Sequence, residues 1–228
     1  MPPGTMMGPM AGLMQSVGID TIYSFVIIFV SLMIYFGTKE LYDLSNHKGI
    51  KYFRLTFLFF AIAYLFRFLT QFIFLSLGHP RTLQTQIGII SLVSLMLFMY
   101  ASTTAIFYLW ASSQSKWFKS KSYNSFLLHA IAIIISALGI LTNNILVLLI
   151  IQSAIVLLLA ITTYNRDKKK KTSQQIYLLY AFLAIFWVLN VLDILVPNFL
   201  YPNQLIIYLA SISIFLLLLY KVIKKTGP

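Results

Sequence analysis

Two charged residues interrupt long apolar stretches of this sequence, Arg67 within residues 55–77 and Asp193 near the end of residues 175–196. A charge inside an apolar segment is costly unless it meets an opposite charge or a polar cavity, and such residues often mark functional sites. We therefore predict that Arg67 and Asp193 pair with each other or bind something polar.

Each charge shares one helical face with an aromatic and a second polar residue. The two sets are Tyr64, Arg67 and Gln71, and Trp187, Asn190 and Asp193. Spacings of three, four and six to seven residues return to the same side of an α-helix. We predict that these six residues line one polar pocket with aromatic walls. Neighbouring helices would add Ser91, Ser94, Gln152, Tyr208 and Ser211.

The amino-acid composition indicates the environment in which this chain folds. The 228 residues are 60% hydrophobic and only 10% charged, with a mean hydropathy of +0.87. A soluble domain is about half apolar and about one quarter charged, so the sequence predicts an integral membrane protein. The net charge of +12 lies in short loops, which indicates membrane topology and argues against nucleic-acid binding. The absence of cysteine excludes disulfides and thiolate chemistry.

Stretches of about twenty apolar residues are long enough to cross the hydrocarbon core as helices. We predict an all-α, polytopic membrane protein, a bundle of seven transmembrane helices. The predicted spans are Ile19–Gly37, Arg54–Leu77, Thr85–Ser112, Ser125–Leu141, Ile145–Tyr164, Gln175–Val196 and Gln204–Val222.

Basic residues predict the orientation of this bundle. Fifteen of the seventeen lysines and arginines lie on one side of a seven-span arrangement. They are Lys39, Lys48, Lys51, Arg54, Lys116, Lys119, Lys121, Arg166, Lys168 to Lys171, Lys221, Lys224 and Lys225. By the positive-inside rule, the N-terminus is expected outside the cell membrane and the C-terminus inside. The basic inner loops are expected to attract anionic lipid headgroups.

The predicted organisation is one membrane domain, residues 19–222, between a flexible Met/Pro/Gly-rich tail, 1–18, and a basic cytoplasmic tail, 223–228. Methionine thioethers in the first tail are typical ligands of soft cations such as Cu(I). A plain flexible tail, or a start codon upstream of the true beginning, also accounts for that stretch.

Depth favours a contact between the two intramembrane charges. Counted from the inner ends of their spans at 1.5 Å per residue, Arg67 and Asp193 lie about 20 and about 27 Å deep. A long arginine side chain can cover that difference. We predict an Arg67–Asp193 pair in the outer half of the membrane, where we expect these two to be each other's only opposite charges.

The sequence does not place the residue types needed for enzymatic chemistry close to one another. His47 and His79 fall in loops and His129 near the inner end of the fourth span, and none is followed by a carboxylate or histidine three or four residues later. We expect interfacial or solvent-facing histidines, no metal or other cofactor, and no enzymatic activity.

The stretch TKELYDLSNHKGIKYFRLTFLFFAIAYLFRF, residues 38–68, resembles the helix–basic loop–helix segment of uncharacterised prokaryotic, especially archaeal, seven-helix membrane proteins. It is faintly similar to seven-helix sensory modules that precede signalling domains. The resemblance covers about one seventh of the chain. It implies a sensor-like role, and because no kinase or cyclase follows Pro228, the output is expected from a cytoplasmic or membrane partner at the basic inner loops.

We therefore expect a non-enzymatic, sensor-like membrane protein with an outer pocket around Arg67 and Asp193. Two alternatives use the same residues: a small-solute transporter, and a structural or accessory subunit in which the ion pair only joins helices. A polar path leading inward past Gln152 toward Tyr100 and Ser102 would favour the transporter.

Overall fold

All secondary structure in the described part of the chain is helical, as predicted. The computed structural model describes residues 9–77, 84–113, 123–142, 150–158, 161, 181–189 and 204–226. The helices are α1 (Pro9–Gly37), α2 (Lys39–Ser45), α3 (Lys48–Leu77), α4 (Gln84–Ser113), α5 (Tyr123–Leu141) and α8 (Gln204–Thr226), and residues 150–158 and 181–189 form the helical segments α6 and α7.

Three predicted spans end at the residue where the observed helix ends, namely Gly37, Leu77 and Leu141. The predicted fifth and sixth spans contain α6 and α7, and their remaining residues, apart from residue 161, lie outside the described part of the chain. Apolar composition therefore located these helices well.

Two segments differ from the prediction. Helix α1 begins at Pro9, so part of the tail predicted to be flexible is helical; proline suits the first turn of a helix, where no backbone donor is needed. The long loop after α1 contains α2, which ends at Ser45 and is followed by Asn46 in the left-handed conformation with φ 46°. Asparagine tolerates that conformation, and its N–H caps the helix by donating to the carbonyl of Tyr42.

Four helical stretches are long and apolar enough to cross a membrane: Gly18–Ser45, Lys48–Ile73, Leu92–Ser112 and Leu205–Lys224. Ser125–Gly139 is apolar but shorter.

The exposed and buried faces of α1 are reversed relative to those of a soluble helix. Ile22, Phe25 and Phe36 expose 66%, 61% and 62% of their surface, whereas Ser24 and Ser31 are fully buried. Soluble proteins rarely leave such contiguous apolar surface in water. An apolar exterior around buried hydroxyls is the arrangement expected in lipid.

Side-chain pairs give the relative directions of the helices. Helix α3 lies between α1 and α4 and is antiparallel to both. Contacts from Arg67 to Asp20 and from Arg54 to Tyr35 order α1 against α3, and contacts from Thr70 to Ser94 and from Gly49 to Ser112 order α4. We name the two ends of the bundle the Arg67 end and the Arg54 end.

Helices α7 and α8 complete this side of the bundle. Tyr208 contacts Arg67, and Phe215 contacts Phe57 and Phe60, so α8 runs antiparallel to α3 and parallel to α1. Phe186 packs on Phe215, and Lys221 lies over Phe182, so α7 runs antiparallel to α8.

Candidate functional site

Arg67 forms an ion pair with Asp20 of α1 near one end of the bundle. Its Nη2 atom lies 3.5 Å from Asp20 Oδ1, and the two side chains retain 17% and 21% of their exposure. Because α1 and α3 are antiparallel, Asp20 in the first half of α1 meets Arg67, which lies two thirds of the way along α3. The pair is therefore shielded by the helices but not fully buried.

Tyr208 of α8 joins both members of this pair. Arg67 Nη2 donates to the Tyr208 hydroxyl at 3.3 Å, and that hydroxyl donates to Asp20 Oδ1. Hydrogen bonds with a charged donor or acceptor are about twice as strong as neutral ones. The three side chains form a closed polar triangle that links α1, α3 and α8.

Two further tyrosines form a wall beside the guanidinium. The Tyr23 ring stacks on Tyr208 with centroids 4.2 Å apart and planes 8° from parallel. Tyr64 meets Tyr23 edge to face, and their hydroxyls are 3.3 Å apart. The Arg67 Cζ lies 5.7 Å from the Tyr23 centroid and 6.0 Å from that of Tyr64, within the range of cation–π attraction. We call Asp20, Tyr23, Tyr64, Arg67 and Tyr208 the arginine cluster.

Of the six residues predicted to form the site, the structure brings three into one buried region. Tyr64 belongs to the arginine cluster, and Trp187 lies in the same apolar core as Tyr64 and Tyr208. Gln71 lies one turn beyond Arg67; its buried Oε1 has no hydrogen-bond partner among the described residues. Asn190 and Asp193 lie outside the described residues.

The expectation that Asp193 is the only opposite charge available to Arg67 was wrong, because Asp20 occupies that role in the structure. The prediction of an Arg67–Asp193 contact itself concerns a residue outside the described range. Asp20 was overlooked because it lies one residue inside the predicted first span. Its depth, seventeen residues from Gly37 or about 26 Å at 1.5 Å per residue, already matched that of Arg67.

Phenylalanines close the bundle on the Arg54 side of the cluster. Phe57, Phe60, Phe186 and Phe215 are 0–4% exposed. Ring centroids in this layer are 4.3 Å apart for Phe186 and Phe215 and 6.0 Å apart for Phe60 and Phe186. A layer of packed phenylalanine rings therefore lies next to the arginine cluster, on the side of the Arg54 end.

A separate polar junction connects α4 with α6. The Gln152 amide Nε2 donates to Ser102 Oγ and Thr103 Oγ1, each at 3.0 Å, and Gln152 is 4% exposed. Gln152 was predicted among the residues lining the pocket. The structure instead gives it partners on α4 that do not belong to the arginine cluster.

His129 forms a third junction, between α4 and α5. Its Nδ1 lies 2.8 Å from the Tyr100 hydroxyl, and its Nε2 lies 2.8 Å from the Tyr108 hydroxyl. A neutral imidazole has one donor and one acceptor, so one tyrosine donates and the other accepts. His129 is half-buried beside two tyrosines eight residues apart on α4, and its interfacial position stays a prediction.

Metal-ligating side chains do not gather in the described part of the chain, where no group of three or more His, Asp and Glu residues lies together. The chemistry that the arginine cluster offers is recognition: a guanidinium, a carboxylate and phenol hydroxyls near one end of the bundle. A carboxylate or phosphate group fits such donors.

Comparison with known proteins finds a relative along the whole chain. An uncharacterised protein of Archaeoglobus fulgidus is 29% identical over 234 aligned residues, which cover 99% of this chain and 100% of the relative. This agrees with the predicted similarity to an archaeal protein. No protein-family model matches the chain, and no solved structure matches it significantly.

Proposed function

We propose that this chain is a non-enzymatic, seven-helix membrane protein that senses a small anionic ligand at its arginine cluster. The observation that carries the proposal is the partly exposed Arg67–Asp20 ion pair, 3.5 Å between Nη2 and Oδ1, shared with Tyr208 of a third helix. A ligand carboxylate would take the place of the Asp20 carboxylate on Arg67 and Tyr208.

The directions of the helices support seven spans. Helices α1, α4 and α8 run one way and α3 and α7 the other, as shown by their antiparallel pairs. Since α4 and α7 run in opposite directions, an even number of crossings between them is required. Helix α5 and the helix containing α6 supply two, which gives seven in total.

The basic residues support an orientation with the Arg67 end outside and the Arg54 end inside. Lys39, Lys48 and Lys51, all exposed, lie near the Arg54 end. We propose a multi-pass protein of the cell membrane, with its N-terminus outside. The basic inner surface would contact anionic headgroups and a cytoplasmic or membrane protein partner that receives the signal.

The same geometry suggests how binding would be transmitted. Asp20 is on α1, whereas Arg67 and Tyr208 are on α3 and α8. Releasing Asp20 would remove the ion pair between α1 and α3 and the hydrogen bond between α1 and α8, so the ligand would favour a different α1 position. A ligand shifts a conformational equilibrium only by its difference in affinity for the two states.

The phenylalanine layer favours sensing over transport. Phe57 and Phe215 are fully buried directly beneath the cluster, and the polar junctions of Gln152 and His129 involve α4, α5 and α6. The inward polar path that would favour a transporter does not start from the arginine cluster among the described residues.

The test measures ligand-dependent stability of the protein in nanodiscs. Thermal unfolding, followed by tryptophan fluorescence, would be titrated with acetate, succinate, glutamate and phosphate. A ligand that binds the folded state raises the midpoint with its concentration. Asp20→Asn, which removes the competing charge, should lower the apparent Kd of the active anion about tenfold, or about 1.4 kcal/mol.

Matched arginine variants complete this test. Arg67→Gln should abolish the ligand-induced shift, whereas Arg54→Gln, on the same helix and at the other end, should retain it. If no anion shifts either the wild type or Asp20→Asn, or if Arg67→Gln responds like the wild type, the sensing proposal is wrong.

The second candidate function is structural, and the closed hydrogen bonding of the triangle favours it. Tyr208 already donates to Asp20 and accepts from Arg67, as expected of a junction that only joins helices. In that case Asp20→Asn would destabilise the protein without creating anion binding. The same titration therefore separates the two functions.

A further inference from the structure

Arg54 of α3 is half-buried and has no carboxylate partner among the described residues. Its Nε atom donates to the carbonyl of Tyr35 at 3.2 Å. The N–H groups on its two Nη atoms have no hydrogen-bond acceptor within the described part of the chain. Glu40 and Asp43, the acidic residues of α2, are described and exposed, and neither forms an ion pair with Arg54. A counter-ion for this guanidinium must therefore come from elsewhere.

Two tyrosine rings hold the guanidinium in place. The Arg54 Cζ lies 4.8 Å from the Tyr35 centroid and 5.5 Å from the Tyr42 centroid. Both tyrosines belong to the helical stretch Gly18–Ser45, in which the N–H of Tyr42 donates to the carbonyl of Thr38, four residues earlier. The two rings are seven residues apart, so they face α3 from the same side of that stretch.

Two exposed lysines add positive charge beside Arg54. Lys39 follows Tyr35 by four residues and precedes Tyr42 by three, and Lys51 precedes Arg54 by three. Residues at these spacings return to the same side of a helix. We call Tyr35, Lys39, Tyr42, Lys51 and Arg54 the Arg54 site. Its three cations gain electrostatically from one shared anion.

This site lies where the exterior of the bundle changes from apolar to basic. Phe36, next to Tyr35, exposes 62% of its surface, as suits a contact with lipid chains. Lys39 and Lys51 lie further toward the Arg54 end and are exposed. In a bilayer, the polar headgroups occupy this transition between hydrocarbon and water.

We propose that the Arg54 site binds the phosphate of one anionic glycerophospholipid. The planar guanidinium offers two Nη atoms to phosphate oxygens, a geometry that lysine does not have. Lys39 and Lys51 favour a headgroup with net negative charge. General attraction of basic loops to a membrane needs no defined site, whereas this contact holds one lipid. It rests on the proposed position of the chain in the membrane, but not on ligand sensing at the arginine cluster.

Native mass spectrometry of the protein released from detergent counts the bound lipid. Titration with phosphatidylglycerol should give one tightly bound molecule. Phosphatidylcholine has the same phosphate but no net charge, and it should bind about fivefold more weakly, as expected from the loss of one lysine interaction. Equal affinity for the two lipids, or a series of equivalent lipids without a distinct first molecule, would overturn the proposal.

Matched variants separate a defined site from general charge. Arg54→Gln and Arg54→Lys should each weaken the first phosphatidylglycerol about tenfold, because lysine keeps the charge but not the paired donors. Lys224→Gln removes one charge from the exposed last turn of α8, at the same end, and should leave this affinity unchanged. The unfolding midpoint in lipid-free detergent verifies that each variant is folded. Wild-type affinity in Arg54→Lys, or equal losses in Arg54→Gln and Lys224→Gln, would contradict a defined site.

Soluble phosphates distinguish a lipid from a free anion. Inorganic phosphate and glycerol 3-phosphate carry the same group without acyl chains. Neither should displace phosphatidylglycerol, because the apolar surface at Phe36 contributes only when acyl chains are present. Displacement by either compound, absent in Arg54→Gln, would assign the site to a soluble phosphate and overturn the choice of a lipid.

Discussion

Helix α3 carries two arginines, and the surroundings of Arg54 and Arg67 differ in one main respect. Arg54 Nε donates to the carbonyl of Tyr35 at 3.2 Å, and its Cζ lies 4.8 Å from the Tyr35 ring and 5.5 Å from the Tyr42 ring. Arg67 also lies against two tyrosine rings but in addition meets the carboxylate of Asp20.

The difference follows from position along the helix. Arg54 lies in the second turn of α3, close to exposed Lys48 and Lys51, where a backbone carbonyl and aromatic faces suffice. Arg67 lies thirteen residues further, or about 20 Å along the axis, inside a span long enough to cross a membrane. At that depth, an unpaired charge costs about 3 kcal/mol even on the lowest scales, and a counter-ion offsets that cost.

The largest expected effect comes from removing the deeper charge. Arg67→Gln should destabilise the protein by about 3 kcal/mol, because breaking a buried pair leaves the other charge uncompensated. Arg54→Gln should cost less than about 1 kcal/mol, the usual value of one hydrogen bond or an exposed cation–π contact. Reversible unfolding in detergent, with denaturant as the variable, measures both.

Equal losses in the two variants would contradict this comparison. They would mean that Arg67 depends on its tyrosine rings, as Arg54 does, and that the Asp20 carboxylate adds nothing.

Exchanging the charges of Asp20 and Arg67 tests directly whether the two side chains stabilise each other. Asp20→Arg and Arg67→Asp should each destabilise the bundle, and the double variant should regain about 1–2 kcal/mol relative to the sum of the single effects. The coupling energy from the double-mutant cycle is the measurement. A coupling near zero would show that the two side chains are neighbours without an energetic link.

The sequence predicted the helices much better than the pairing between them. Apolar length placed Gly37, Leu77 and Leu141 at the ends of helices, because lipid imposes one simple requirement on every span. Arg67 and Tyr64 were predicted to line a site because charge in an apolar helix is rare, and the structure places both in the arginine cluster.

Pairing depends on which helices are neighbours, and one sequence contains little information on that. Counting along the sequence predicts both Asp20 and Asp193 at a depth that Arg67 can reach. The short connection between α1 and α3 favours Asp20, since consecutive helices are usually adjacent. That signal was present but was not used. The contacts of His129 with Tyr100 and Tyr108 depend on the packing of α5 on α4, which spacing alone did not predict.

A smaller effect is expected from the hydroxyl that links the two charges. Tyr208→Phe keeps the ring that stacks on Tyr23 at 4.2 Å but removes a donor to Asp20 and an acceptor for Arg67. We expect a loss of about 1–2 kcal/mol, in the range of hydrogen bonds to charged groups. Tyr23→Phe is the control, because its hydroxyl lies 3.3 Å from the neutral hydroxyl of Tyr64 and does not belong to the triangle of Asp20, Arg67 and Tyr208. If Tyr23→Phe costs as much as Tyr208→Phe, the hydroxyl of Tyr208 has no special role between the charges.

The smallest effect is expected at the junction of α4 and α6. Its side chains are polar but uncharged, so a substitution there can be compared with one in the charged arginine cluster. Gln152→Met keeps the length of the side chain and removes the two 3.0 Å hydrogen bonds to Ser102 and Thr103. Interhelical hydrogen bonds in membrane proteins average about 0.6 kcal/mol, so the loss should be about 1 kcal/mol in the same unfolding measurement. Ser102 also donates to the carbonyl of Met99 at 3.0 Å, and this hydrogen bond remains in the variant, which limits the cost. A loss as large as that of Arg67→Gln would show that burial of polar groups, rather than charge, determines the stability of both junctions.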